Sequence, residues 1–187
     1  MSTLATPKAT LADLMTTEGK AELIGGRIVR LMSTGRRPNR IAFRIARSLD
    51  DFCEANQIGE AYSDNIGYAV PELASGRESF SPDASVFLGS PPENDMGFLE
   101  GPPAFAAEVR SENNYGPAAE SAIAAKRADY FEAGTKVVWD VDPIANVIRS
   151  YEAHSPERPI LFAIGQHAHA NSALPGWSID VEAIFRQ

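Results

Sequence analysis

Cysteine occurs once in this sequence, at Cys53, while histidine occurs three times and tryptophan twice. A lone cysteine closes no internal disulfide, so a reducing, cytoplasmic setting is the default expectation. Cys53 also falls at helical spacing with apolar residues, and buried thiols are usually inert, which argues against a cysteine nucleophile. Two of the histidines, His167 and His169, sit beside alanines, and a histidine-rich zinc site is not expected from so few. No apolar run approaches the length of a bilayer span and no charged-then-apolar leader opens the chain, so no membrane role is expected. Positive charge is also scarce: 17 Lys and Arg face 25 Asp and Glu, for a formal net charge of −8. That balance argues against a generally basic nucleic-acid coat.

What is present is enough for one core. The chain has 187 residues, 44% of them hydrophobic, which fits a single domain over residues 10–187 behind a poorly ordered tail, residues 1–9. Its charge is unevenly spread. Residues 1–50 hold nine Lys and Arg against four Asp and Glu, whereas residues 51–187 hold eight against twenty-one. A basic first quarter on an acidic body allows a confined phosphate-binding face.

Thr10 is placed to cap a short helix through Leu11, Leu14 and Met15. Two β-prone runs around Gly25-Gly26, from Lys20 to Met32, read as a hairpin. Glu22 sits in the middle of its first strand. Pro38 suits the first turn of a helix running to about Glu54 with Ile41, Ile45, Leu49 and Phe52 as its apolar stripe. Arg40, Arg44 and Arg47 form a second stripe, with Arg36 and Arg37 just before it. Those five arginines read either as a solvated face whose stems cover apolar surface or as a contact for nucleic-acid phosphates. Residues 59–63 and 66–70 look like strands joined by a tight turn, residues 72–79 like a polar loop, and residues 89–103 like a surface loop. Pro117 and Gly134 bracket an alanine-rich helix. Strands over residues 136–141, 147–152 and 158–164 follow, then a short helix from Val181 to Phe185. Strands with two substantial helices indicate a mixed α/β domain.

Two stretches stand out, Ser81–Leu88 and Phe105–Arg110. Each reads as a buried strand with one carboxylate, Asp83 at the start of the first and Glu108 inside the second. An ionised carboxylate on an apolar strand is costly unless a positive charge lies beside it. If the strands are neighbours, Asp83 and Glu108 converge and can share a divalent cation. On the following helix, Ile123, Lys126 and Tyr130 share one face at spacings of three and four. Lys126 is thereby aimed at the Glu108 strand, where it could stabilise charge or position a nucleophile, or else snorkel at the helix border.

The ordered set Glu22-Leu23-Ile24, Ser81-Pro82-Asp83, Glu108-Val109-x-Ser111, Lys126-x-x-x-Tyr130-x-x-x-Gly134 and Trp139-x-Val141-Asp142-Pro143 resembles the Uma-type restriction endonucleases of the PD-(D/E)XK nuclease superfamily. Leu174-Pro175-Gly176 and Ile184-Phe185 complete the resemblance, which spans the chain from about Leu14. It implies a restriction-endonuclease-like core, a mixed β-sheet flanked by helices. It also implies that Asp83 and Glu108 hold Mg²⁺ or Mn²⁺, with Glu22 as an early acidic position near them. The superfamily commonly places a lysine two residues after the glutamate. Here that residue is Arg110, which keeps the charge but cannot act as a base, and Lys126 matches the lysine that Uma-type relatives take from the next helix. Pro38 stands where many relatives have histidine.

The expected activity is therefore metal-dependent endonucleolytic hydrolysis of DNA phosphodiesters, with catalytic candidates Asp83, Glu108, Lys126, Glu22 and Arg110. Hard, oxygen-ligated cations supply the charge stabilisation and activated water that this reaction needs. A homodimer is expected, since cutting both strands suits two sites related by a twofold axis. A catalytically silent binding or assembly module on the same fold is the alternative, and a hydrolase of another phosphate ester is a third.

Overall fold

The structure is a computed structural model that describes residues 7–186; of the expected N-terminal tail, residues 1–6 lie outside the described residues. Ala9 N–H donates to the Gly26 carbonyl at 2.9 Å, so the entering chain is tied to the hairpin before the first helix begins. That helix, α1 (Leu11–Met15), starts with a reciprocal cap in which the Asp13 amide donates to the Thr10 hydroxyl and Thr10 N–H donates to the Asp13 carboxylate. β1 (Ala21–Ile24) and β2 (Arg27–Arg30) form the antiparallel hairpin. Gly25 and Gly26 both take positive φ between them, which a two-residue primed turn demands. Helix α2 (Arg36–Asn56) begins ahead of Pro38 and ends on a left-handed Gln57. Ile41, Ile45 and Leu49 are buried as the stripe requires, and Cys53 continues it more deeply than Phe52, because a step of four from Leu49 holds the same face.

The remaining strands are β3 (Glu60–Ser63), β4 (Tyr68–Ala69), β5 (Ser79–Phe80), β6 (Ala84–Phe87), β7 (Leu99–Glu100), β8 (Phe105–Val109), β9 (Val137–Asp142), β10 (Val147–Glu152), β11 (Ser155–Ala163), β12 (His167–His169) and β13 (Ser178–Asp180). Helix α3 (Pro117–Ala133) links β8 to β9, and α4 (Val181–Phe185) ends the described chain. Six strands make the main sheet in the order β11-β10-β9-β8-β6-β3. Only the β8–β9 neighbours run parallel, and α3 is the crossover that a parallel pair needs. The expected mixed sheet flanked by helices is the architecture observed.

Two apolar layers explain why β6 and β9 are buried along their whole length and β8 at every residue but Glu108. On one face, α2, α4 and Trp177 cover Ala84, Val86, Phe105, Ala107, Trp139 and Val141. The Trp139 ring lies 5.1 Å from Phe105 and 5.0 Å from Trp177. On the other, Tyr130 of α3 joins Tyr68, Phe80 and Leu99 over Phe87, Ala106 and Val138. Phe80 and Tyr130 are stacked with centroids 4.1 Å apart.

Three local readings change. The strands at residues 59–63 and 66–70 belong to different sheets: β3 pairs with β6, while β4 pairs with β5 and β7. The Gly89–Pro103 loop contains β7, whose Leu99 is buried. The stretch at residues 72–79 is polar in composition but not a solvated loop, since Leu73, Arg77 and Ser79 are buried. Glu78 N–H donates to the Leu23 carbonyl at 2.9 Å and Gly25 N–H to the Gly76 carbonyl at 2.6 Å. The stretch is thus stitched along β1 and delivers Arg77 beside Glu22.

Candidate active site

The pairing of β6 with β8 brings the two strand carboxylates together. Ala84 lies opposite Ala107, and the ladder continues one step, with Asp83 N–H donating to the Ala107 carbonyl at 3.1 Å. The next opposed pair is Asp83 and Glu108, whose side chains leave the same sheet face. That face is the one covered by α3. Asp83 Oδ2 accepts from the Val109 amide at 2.8 Å, while its Oδ1 lies 2.7 Å from Lys20 Nζ. Glu108 Oε1 accepts from the Tyr130 hydroxyl at 2.6 Å and lies 2.8 Å from Lys126 Nζ. Both partners fall on Oε1, leaving Oε2 uncommitted among the described residues.

Glu22 is the third carboxylate of the same cluster. Its Oε1 accepts from the Ser81 amide at 3.0 Å and lies 2.9 Å from Lys126 Nζ. Its Oε2 lies 2.5 Å from Arg77 Nη1, and Arg77 Nε in turn reaches Asp129 at 2.8 Å. Lys20 also lies 2.5 Å from Asp64. Lys126 therefore bridges Glu22 and Glu108 from one side of the site, and Lys20 bridges Asp64 and Asp83 from the other. Neither ammonium is in bulk solvent, with side-chain exposures of 18% and 16%.

Burial and neighbours set the protonation states. Burial pushes the Glu108 carboxyl up; Lys126 pulls it down, Asp83 adds repulsion, and the net displacement is upward. Burial would also raise Glu22, but Lys126 and Arg77 hold it below the usual carboxylate range. Burial opposes the charge on Lys126, yet Glu108 and Glu22 outweigh it and the ammonium is held more firmly than usual. Lys20 follows the same pattern through Asp83 and Glu108. Tyr130 is driven well up by burial and by Glu108 and Glu22, so it keeps its proton and donates it. The five carboxylates Glu22, Asp64, Asp83, Glu108 and Asp129 face three cations, Lys20, Arg77 and Lys126. Among the described residues, two negative charges of this cluster are left uncompensated.

Among the described residues, no three His, Cys, Asp or Glu side chains form a ready metal cage. Hard carboxylate oxygens and an excess of two negative charges nevertheless suit Mg²⁺ or Mn²⁺. Magnesium commonly takes one or two protein carboxylates and fills its shell with water and substrate phosphate. Asp83 and Glu108 are the pair able to supply them.

Arg110 is not brought into this cluster. It leaves β8 on the Glu108 face but two residues further along. There its Nε and Nη2 each lie 2.6 Å from Asp140 and its Nη1 pairs with Glu120. The arginines of α2 gather on the opposite face of the sheet. Arg36, Arg37, Arg40, Arg44 and Arg186 line a hollow of about 230 Å³ with no acidic side chain among its walls. Arg44 reaches the carbonyls of Ile184 and Arg186, and burial together with Arg186, Arg40, Arg36 and Arg47 pulls its guanidinium below the usual range. Arg37 donates to Asn146 at 2.7 Å beside the turn that follows β9. The arginine face thus reaches the end of the sheet at which Glu108 stands.

Sequence reasoning does not single out Lys20, Asp64, Arg77 or Asp129. Lys20 carries a signal: it precedes Glu22 by two residues in the β-prone run that leads into β1, and extended spacing of two sets both on one face. Asp129 follows Lys126 by three on a helix, a spacing that also shares a face. Arg77 carries none, since only the stitching of its loop to β1 brings it in.

No curated protein matches the chain. A crystal structure described as a putative nuclease belonging to DUF820 from Anabaena variabilis ATCC 29413 superposes with a TM-score of 0.73 at 17% identity, over 94% of this chain and 97% of that one. At that identity the likeness shows the fold. Residues 9–182 match the Uma2 family, described as "Putative restriction endonuclease". The chain belongs to that family.

Proposed function

We propose that this protein is a divalent-metal-dependent endonuclease that hydrolyses DNA phosphodiester bonds at the Asp83–Glu108 cluster. The observation that carries the reading is the cross-strand pair itself: two carboxylates on one sheet face, with Lys126 Nζ 2.8 Å from Glu108. Asp83 and Glu108 would hold Mg²⁺ or Mn²⁺, which when bound stabilises charge on the scissile phosphate and lowers the pKa of a water. Lys126 is held as an ammonium, so it serves as hydrogen-bond donor and charge stabiliser for the phosphate or attacking water, not as a base. Tyr130 fixes the rotamer of Glu108, and Glu22 with Arg77 fixes Lys126. Arg110 acts at a distance, by anchoring the end of β8 to β9 and α3.

The arginines of α2 are the proposed contact for the DNA backbone, with Arg36, Arg37, Arg40, Arg44 and Arg47 facing phosphates. Among the described residues, no Asp or Glu forms an ion pair with these arginines. Double-strand cleavage would further call for two copies related by a twofold axis, which light scattering with and without DNA would detect.

The test is cleavage of plasmid DNA with Mg²⁺ or Mn²⁺ by wild type, Asp83→Ala and Glu108→Ala. Loss in both variants, with folding intact, supports the assignment; equal cleavage by all three refutes it. A silent binding module is the second reading, favoured by the ion pairing that Asp83 and Glu108 already have. It predicts DNA binding without cleavage, insensitive to both substitutions.

A further inference from the structure

The two lysines of the cluster are not equivalent. Lys126 lies between Glu22 and Glu108, both facing the helix that carries it. Lys20 lies between Asp83, one of the two carboxylates assigned to the metal, and Asp64, which is half-exposed in the turn after β3. The two carboxylates assigned to the metal differ in the same way. Glu108 keeps Oε2 uncommitted while Oε1 takes Lys126 and Tyr130. Asp83 has Oδ2 on the Val109 amide, so Oδ1 is its oxygen for a cation, and Lys20 is on it. Glu108 can therefore accept a metal ion without giving up a partner, and Asp83 cannot.

We propose that Lys20 is a resident competitor for the divalent cation, sitting on Asp83 in the metal-free site and passing to Asp64 alone when a metal ion binds. The inference rests on the reading of Asp83 and Glu108 as metal ligands. The landing place already exists, because Lys20 Nζ is 2.5 Å from Asp64 Oδ1 and, among the described residues, that buried oxygen has no hydrogen-bond donor that would compete with the ion pair. A short movement of the ammonium exchanges two carboxylates for one while a doubly charged ion takes over Asp83. Without Lys20, Asp83 and Glu108 would face each other with one cation fewer, so the metal-free state would be less well compensated. Lys20 is a positioning residue in this account: it preserves the site's geometry in the absence of metal and weakens metal affinity in return.

The experiment is Mn²⁺ binding to the full chain without DNA, followed by calorimetry and by the electron paramagnetic resonance of free Mn²⁺, with thermal melts to establish folding. Lys20→Met should tighten binding on the order of tenfold, the effect of deleting one competing charge a few ångströms from the ion in a partly screened site. Lys20→Gln serves if the methionine variant does not fold. Asp64→Asn should weaken binding several-fold, since Lys20 is then left to Asp83, and should have no effect in the Lys20→Met background. Lys136→Met, which removes a charge at the far end of β9, should bind as wild type does. Four results overturn the proposal: unchanged or weaker binding by Lys20→Met; an equal Asp64→Asn effect in both backgrounds, which would make Asp64 act directly on the metal; tightening by Lys136→Met as large as that of Lys20→Met; or Mn²⁺ binding indifferent to Asp83→Ala and Glu108→Ala. The last also removes the metal-site reading, whereas binding that depends on both carboxylates but not on Lys20 removes the competitor alone.

Discussion

Arg77→Met is the sharpest test of the buried network. Arg77 lies 2.5 Å from Glu22 and 2.8 Å from Asp129, with side-chain exposures of 7%, 3% and 9% for the three groups. Its guanidinium also covers the Phe80 ring at 5.2 Å. Methionine keeps most of the apolar stem, so the substitution chiefly deletes the charge and its hydrogen bonds. Glu22 retains Lys126 and the Ser81 amide, but Asp129 is left without its Arg77 ion pair. Removing one partner from a buried ion pair costs about 3–5 kcal/mol. For a chain of this size about 2–4 °C of Tm goes with each kcal/mol, so a fall of roughly 10 °C is expected at neutral pH. The pH dependence supplies a second readout. In the wild type the Glu22 carboxyl is held below its usual value, so its contribution is present above the unfolded pKa and is lost as pH falls through the lower, folded one. Without Arg77 that carboxyl moves up. The gap between wild type and variant should therefore be widest near about pH 8 and narrow toward about pH 4. Melts by circular dichroism at both pH values decide it. A loss of only about 0.5 kcal/mol, the range of ordinary surface changes, or a gap independent of pH would show that Arg77 does not carry this network.

Three further outcomes concern other parts of the molecule. Arg36→Ala with Arg40→Ala should weaken DNA binding and reduce the slope of log K against log salt by about 2, one unit for each phosphate no longer neutralised; an unchanged slope would leave these arginines as ordinary surface. Arg110→Met should cost about 3 kcal/mol in chemical denaturation by exposing Asp140 to an empty partner position, yet leave Mn²⁺ affinity as in wild type; loss of metal binding without loss of stability would return Arg110 to the site. Cys53 is buried, with its thiol pushed up first by burial and then by Asp50, so thiol reagents should label it only on unfolding, and rapid labelling of the native protein would contradict its place in the α2 core.

Sequence periodicity carries the long elements because each follows one rule over many residues. Helix α3 begins and ends where Pro117 and Gly134 predict, and the stripe of α2 is set by steps of three and four. The convergence of Asp83 and Glu108 is legible as a condition, that their strands be neighbours, and β6–β8 pairing supplies it. What escapes is whatever depends on contacts between distant short segments. Strands β4, β5 and β7 have two residues each, too few for alternation to register. Arg77 looks like a loop residue because its burial comes from the hairpin laid across it, 52 or more residues from either acidic partner in sequence.

The departure at Arg110 follows from the sheet itself. Residues 108 and 110 leave β8 on the same face, so a cation two positions after Glu108 could in principle serve the site. The parallel pairing of β8 with β9, however, sets Asp140 beside Glu108, and Asp140 extends along the strands toward Arg110 while Glu120 closes over it from α3. A planar guanidinium matched by one carboxylate through two nitrogens is held far more specifically than an ammonium would be. Arginine at this position is thereby committed to clamping β8, β9 and α3 together. The site must draw its cations from elsewhere, and the two faces that look onto it, α3 and the β1 hairpin, contribute Lys126 and Lys20. Arg110 and Lys126 thus divide between two elements the clamping and the charge stabilisation that a single strand lysine could not provide together.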